Sequence, residues 1–565
     1  MTDTTPVYSG AAHYFRTLPE QWPHRLRSLR AMGLDTVETY IAWNVHEPVE
    51  GRWLRLDDIE RYLDDAADAG LSVIVRPGPY ICAEWDNGGL PSWLTARAGR
   101  FVRTAHPVFL DPVQRYLDAV VPRFAGHPAL SMVQVENEYG SFGTDAGYLA
   151  ALADGLRERG VTVPLVTSDG PTDIMLTGGM VPGVRATVNF GSQPRAAFAK
   201  LAEHRPDDEP FCMEFWNGWF DHWGAPRVTR NVESARAALD AILAAGASVN
   251  LYMAHGGTNF GTGAGANHHL VDGADEFLPT VTSYDYDAPL DERGAPTAKF
   301  HAFRTLFAAA RPDVALPDLP ELPPLMPSQQ VVLERSAEVR FTDLGTAPVP
   351  ASFEELGVDH GLVAYRLAIP GRRAPEPLEL RDVRDRAHVY VDGVLHGVVE
   401  RGQDGLLAPV GGPAEVTVVV ESMGRTNYGP RLGQHKGLGG VFHGIQQLNG
   451  VRHAVHALPG GPPETGSPEW TGAEQTGAAP RYYAGTAELD EQADGYLEVH
   501  GTKGYVWVNG FCLGRYWNRG PQQRLYLPWP ATRAGANEIV VLELDRLVRP
   551  AVSLHPRPDL GPVPV

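Results

Sequence analysis

Through the first 310 residues, short apolar runs alternate with longer stretches in which apolar side chains recur every three or four positions. The first pattern suits a buried strand and the second a helix with one apolar face, so their alternation predicts βα units around a parallel sheet. Strands are expected at residues 7–13, 36–41 and 71–75, in a run ending at Glu138, and at 163–167, 184–189, 211–215 and 248–254. Helices are expected at 20–32, 58–69, 112–123, 231–245 and 297–310. Eight such strands fit a (β/α)8 TIM barrel over residues 1–311.

The periodicity then changes. Residues 312–327 are dense in Pro, Leu and Asp, and 312–349 is expected to be a linker lying against the barrel. Beyond it helical spacing fades. Alternating strands between Gly and Pro turns predict two β-sandwich modules, at 350–455 and 480–565, joined by a loop or linker at 456–479. Asp392-Gly393 and Asn509-Gly510 each lie between alternating apolar runs, the strongest short signal for a hairpin whose two central residues need positive φ. Tyr505, Trp507, Tyr516 and Trp517 flank the second hairpin. They are expected to fill the sandwich core in preference to stacking on sugar at its surface.

Two stretches put carboxylates where apolar residues are expected. In Val133-Gln134-Val135-Glu136-Asn137-Glu138-Tyr139-Gly140 an apolar strand runs into a loop, and on a continued strand Glu136 and Glu138 would share one face. Such carboxylates are costly to bury, which leaves two readings: an ion pair with a distant Arg, or a catalytic acid at a strand's C-terminal end. The second stretch, Phe211-Cys212-Met213-Glu214-Phe215-Trp216-Asn217-Gly218-Trp219, again ends an apolar run in one carboxylate followed by aromatics. A glycosidase needs two carboxyl groups across one bond, with aromatic faces for sugar C–H groups. The interval between Glu138 and Glu214 holds about three βα units.

These two stretches, with Arg76-Pro-Gly-Pro-Tyr-Ile-Cys-Ala-Glu-Trp85 and Thr282-Ser-Tyr-Asp-Tyr-Asp-Ala-Pro-Leu290, resemble the signatures of glycoside hydrolase family 35, the β-galactosidases. The likeness runs in order through most of the chain. It implies a retaining exo-β-galactosidase that removes terminal β-galactosyl residues, with jelly-roll domains after the barrel and no cofactor or metal. It assigns the acid/base to Glu138 and the nucleophile to Glu214, a choice the residues alone leave open. By matching motifs, the resemblance places sugar contacts at Tyr40, Ala83, Glu84, Asn137, Tyr252 and Tyr286. Trp219 is a candidate sugar platform, with ordinary packing as its alternative. His13, His46 and His255 are expected to be structural. Arg76 is a candidate cation beside Glu214. Trp216-Asn217 departs from the family pattern, as do His268-His269 and the acidic 272–276 loop. Another β-glycoside (glucose, fucose or glucosamine) and an inactive carbohydrate-binding barrel are the rival readings.

Composition narrows the partners. A formal charge of −20 over 565 residues argues against nucleic acid and anionic membrane surfaces. The three cysteines, Cys82, Cys212 and Cys512, form neither a disulfide framework nor a zinc motif. The N-terminal residues show no basic and apolar leader, and no run of about 18 apolar residues is present to span a bilayer. The expectation is a cytoplasmic enzyme whose partner is a neutral β-galactoside, with homo-oligomerisation left open.

Overall fold

The computed structural model describes residues 5–271, 274–459, 461, 469–472 and 480–563. Most of the 456–479 linker, and Asp272 of the acidic loop, lie outside them. Eight parallel strands close a barrel in chain order: β1 (Tyr8–Ala12), β2 (Thr36–Tyr40), β3 (Ser72–Arg76), β4 (Leu130–Gln134), β5 (Leu165–Asp169), β6 (Arg185–Phe190), β7 (Phe211–Trp216) and β8 (Ser248–His255). β8 pairs back on β1, so no edge is exposed. The strands are almost entirely buried because helices cover them outside and side chains fill them inside.

Seven of the eight strands fall within two residues of the expected bounds, but β4 stops at Gln134 instead of running to Glu138. Glu136 and Glu138 both take positive φ, 58° and 45°, so the chain turns twice after the strand. The two carboxylates therefore do not share a face. Helices Ala146–Glu158 and Pro194–His204 were not anticipated. Their signals are local: Asp145 caps the Tyr148 N–H, and Pro194 occupies the first turn, where its missing N–H costs nothing.

Residues 312–349 do more than link. β11 (Gln329–Val332) and β12 (Arg335–Glu338) join the two sheets of the C-terminal sandwich, and β13 (Thr342–Ala347) edges the sheet of the first. Alternating burial along β11 and a buried Ser336-Ala337 in β12 complete layers that the later strands leave open. Both hairpin turns form, with φ of 49° and 78° at Asp392-Gly393 and 50° and 82° at Asn509-Gly510. Tyr505, Trp507, Tyr516 and Trp517 are buried, as core residues.

The His268-His269 segment is not a loop. It forms an antiparallel hairpin, β9 (Ala266–Val271) with β10 (Ala274–Pro279), because it finds a partner strand in the first sandwich at Thr426–Tyr428. This three-stranded patch stitches the sandwich to the rim of the barrel. Arg425 strengthens the seam, its N–H donating to Asp86 Oδ1 at 2.6 Å and its guanidinium pairing with Glu354 at 3.0 Å. A buried Lys503–Glu421 ion pair ties the two sandwiches together.

Candidate active site

Glu138 and Glu214 line one pocket of about 270 Å³ at the C-terminal ends of β4 and β7, the rim where a barrel's loops gather. Tyr40, Ala83, Glu84, Asn137, Trp219, Tyr252 and Tyr286 line it too, so both candidate catalytic carboxylates and all the expected sugar contacts meet there. They come from the ends of five barrel strands, β2, β3, β4, β7 and β8, which only closure of the barrel brings together.

Glu214 is held on three sides. Arg76 Nη2 and Tyr40 Oη donate to its Oε1 at 2.6 and 3.1 Å, and Trp216 Nε1 donates to Oε2 at 3.1 Å. Arg76 is fully buried and also stands 3.8 Å from Glu38. Burial opposes its charge, but Tyr40, Glu214 and Glu38 outweigh that and raise its pKa. Arg76 also donates to Asn137 Oδ1, which accepts from Tyr40 Oη at 2.9 Å. One guanidinium thus fixes a carboxylate and an amide together.

Among the described residues Glu138 has no such cation in contact. Its Oε1 accepts from Asn189 Nδ2 at 2.9 Å, and Asn189 on β6 is the register partner of Glu214 on β7. Burial, then the charge of Glu214, push the Glu138 pKa up to about 8, against the pull of Asn189 and Arg76. Two carboxyl groups in one cavity thus have opposite surroundings, the usual arrangement for an acid and a base of different strength.

Glu136 takes the other reading. Arg103 grips it through both oxygens at 2.8 and 2.7 Å, Tyr148 Oη adds a bond at 3.1 Å, and the Asn137 N–H one at 2.6 Å. It is a satisfied ion pair that braces the turn carrying Glu138.

Across the pocket, Cys82, Ala83 and Glu84 are three successive residues with positive φ. This tight coil aims Glu84 inward. Tyr284 Oη donates to Glu84 Oε2 at 2.5 Å, and Asn427 Nδ2 lies 3.4 Å from Oε1. Burial lifts the Glu84 pKa to about 7. Arg16 caps the Ala83 carbonyl and lies over the Tyr284 ring at 3.7 Å. Tyr252 and Tyr286 meet edge to face, 5.6 Å between centroids. Trp219 is 38% exposed at the mouth and stacks on Phe220.

The sequence reading missed Asn189, Tyr284, Asn427 and Tyr428 as parts of the site, and noted Trp216 only as a departure from the family pattern. Tyr284 stands in the Tyr-Asp-Tyr-Asp motif, two residues before Tyr286. Asn427 and Tyr428 arrive from the first sandwich and carry no local signal. His13, His46 and His255 stand behind the pocket, contacting Arg16, Tyr14 and Arg25. Cys82 touches the cavity, with burial raising its thiol pKa. Among the described residues no group of three or more His, Cys, Asp or Glu is placed to hold a metal ion, and no helix is long and apolar enough to cross a membrane.

Residues 2–310 match Glycosyl hydrolases family 35, residues 350–451 the beta-galactosidase first all-beta domain, and residues 480–537 the beta-galactosidase galactose-binding domain. A beta-galactosidase of Xanthomonas manihotis is 40% identical over 540 residues, covering 92% of this chain and 88% of that protein. The human beta-galactosidase is 36% identical over 585 residues, 95% and 84% of the two chains, and human beta-galactosidase-1-like protein 2 is 35% identical over 582, 98% and 89%. Family signatures through the barrel, relatives matched nearly end to end and two carboxylates in one barrel-mouth pocket converge: the chain belongs to glycoside hydrolase family 35 and is a glycoside hydrolase.

Proposed function

We propose that the protein is a retaining exo-β-galactosidase that releases terminal, non-reducing β-galactosyl residues by double displacement. Glu214 attacks the anomeric carbon while Glu138 gives its proton to the departing glycosidic oxygen. Glu138, now a base, then takes a proton from water, which attacks the glycosyl–Glu214 ester and frees galactose. Loss of the Glu214 charge in the ester lowers the Glu138 pKa at the moment a base is needed.

The observation that carries this reading is the asymmetry of the pair, one carboxylate in contact with a buried guanidinium and the other raised to about 8. The names of the relatives supply the sugar. In this scheme Asn137 takes the 2-hydroxyl, a contact that strengthens toward the oxocarbenium-like transition state. Glu84, Ala83, Tyr40, Tyr252 and Tyr286 take the remaining hydroxyls and the ring, and Trp219 flanks the bond being cut.

A panel of nitrophenyl β-glycosides tests the sugar, and NMR of the first-formed anomer tests the stereochemistry. The expected result is preference for the galactoside with the β-anomer appearing first. Preference for glucoside, fucoside or glucosaminide, or first appearance of the α-anomer, would overturn the corresponding half.

A further inference from the structure

Beside the active-site pocket lies a second cavity of about 570 Å³, with Tyr80, Arg100, Phe142, His268 and Leu432 in its walls. The two cavities share Ser141, His269 and Tyr428, so they adjoin along these three residues. We infer that this groove binds the leaving-group sugars beyond the one attached to galactose, which makes the substrate class β-galactosyl-terminated oligosaccharides of three or more units. The inference rests on the galactosidase reading above and adds what lies beyond the cleaved bond.

Size is the first argument. The inner pocket lies just below the range of about 300–1,000 Å³ usual for ligand sites, enough for one sugar ring, whereas the groove is about twice as large. A disaccharide would leave most of the groove filled only by water.

Aromatic surface is the second argument. Phe142 is 41% exposed and Tyr428 36%, and both border the groove. The Phe142 ring is held in place by the buried Arg103 guanidinium 4.2 Å from its centroid, with Arg103 itself fixed by Glu136. Tyr428 borders both cavities, which puts the second ring where they adjoin. Exposed rings along a groove that adjoins a glycosidase pocket suit the apolar faces of sugars. Arg100, Ser141 and His269 offer donors at the edges for hydroxyl groups.

The walls come from two domains. Phe142 and Arg100 belong to barrel loops, Tyr428 and Leu432 to the first sandwich. The groove therefore exists only while the sandwich is docked, which gives the buried Arg425–Asp86 seam a part in substrate length.

The test compares kcat/KM for nitrophenyl galactoside, a disaccharide and a tetrasaccharide, the two glycans sharing the terminal linkage the enzyme cleaves best. Wild type is expected to favour the tetrasaccharide over the disaccharide by about tenfold, the scale of one or two sugar–aromatic stacks. Phe142→Ala, which removes a platform, and Leu432→Trp, which fills the groove, should each erase most of that preference. Activity on nitrophenyl galactoside and the disaccharide should stay within about twofold, since neither residue lines the inner pocket. Equal wild-type kcat/KM at all lengths, or variants that retain the preference or lose activity equally on every substrate, would overturn the groove. A wild type that cleaves no β-galactoside would sink the activity itself; one that cleaves nitrophenyl galactoside with no length preference sinks only the groove.

Discussion

Replacing Glu214 with Gln keeps the shape of the side chain and removes its charge, so it isolates what one carboxylate does to the other. In the native site the Glu138 pKa is about 8, raised first by burial and next by Glu214. In a retaining pair the carboxyl groups stand about 5 Å apart. At an effective dielectric constant of about 20, two charges at that spacing interact by about 3 kcal/mol, or roughly 2 pKa units. Doubling the dielectric constant halves the effect to about 1 unit. Glu138 in Glu214→Gln should therefore titrate about 1–2 units lower. It should not return to a free carboxyl's value, because its burial is unchanged. Carbon-13 NMR titration of labelled glutamate carboxyls reads this directly, with Glu138→Gln assigning the resonance. A fall of less than about half a unit, or a rise, would mean that the two groups do not share a site in the manner described.

Other consequences follow from the same buried charges. Glu138 and Glu292 have pKa values raised to about 8, and Glu38, Glu84 and Asp169 to about 7. Their folded forms hold protons that unfolded carboxyls have already lost, so their contribution to stability is fully present below the unfolded pKa and disappears as pH rises through 7 and 8. The histidines with lowered pKa, such as His13 and His255, act in the acid range, so Tm should fall between pH 6.5 and 8.5; a flat or rising Tm there contradicts these assignments. Asn427→Ala removes the sandwich's grip on Glu84, and KM for nitrophenyl galactoside should rise several-fold, about 1 kcal/mol, with kcat little changed. A fall in kcat at constant KM would contradict that positioning role. Arg103→Ala leaves Glu136 buried without its cation, for a loss of about 3–5 kcal/mol read in urea unfolding; a loss under about 1 kcal/mol would show the pair to be dispensable.

The barrel was legible because each strand is a compact apolar run and most of the long helices keep their spacing, signals that survive in isolation; the helices at Ala146–Glu158 and Pro194–His204 were not read. Glu138 and Glu214 were legible because carboxylates at the ends of such runs are costly unless used. What the sequence could not convey was how the chain turns after Gln134. Positive φ at Glu136 and Glu138 separates two glutamates that strand alternation would put side by side, and only the folded loop shows Arg103 taking one of them. Asn427 and Tyr428 were hidden for another reason. They reach the pocket by strand pairing with β9, a contact between residues some 160 positions apart that leaves no periodic trace. The hairpin turns at Asp392-Gly393 and Asn509-Gly510 were readable because positive φ at both positions strongly restricts residue choice.

Trapping the covalent intermediate tests the central claim most directly. A 2-deoxy-2-fluoro-β-galactoside with a good leaving group should glycosylate the enzyme quickly and release slowly, since the fluorine destabilises the oxocarbenium-like transition state of both steps. Peptide mass spectrometry is expected to find one fluorogalactosyl group, on Glu214, with none in Glu214→Gln. A label on Glu138 or on any other side chain, or complete turnover through the α-anomer with no adduct, would contradict the account.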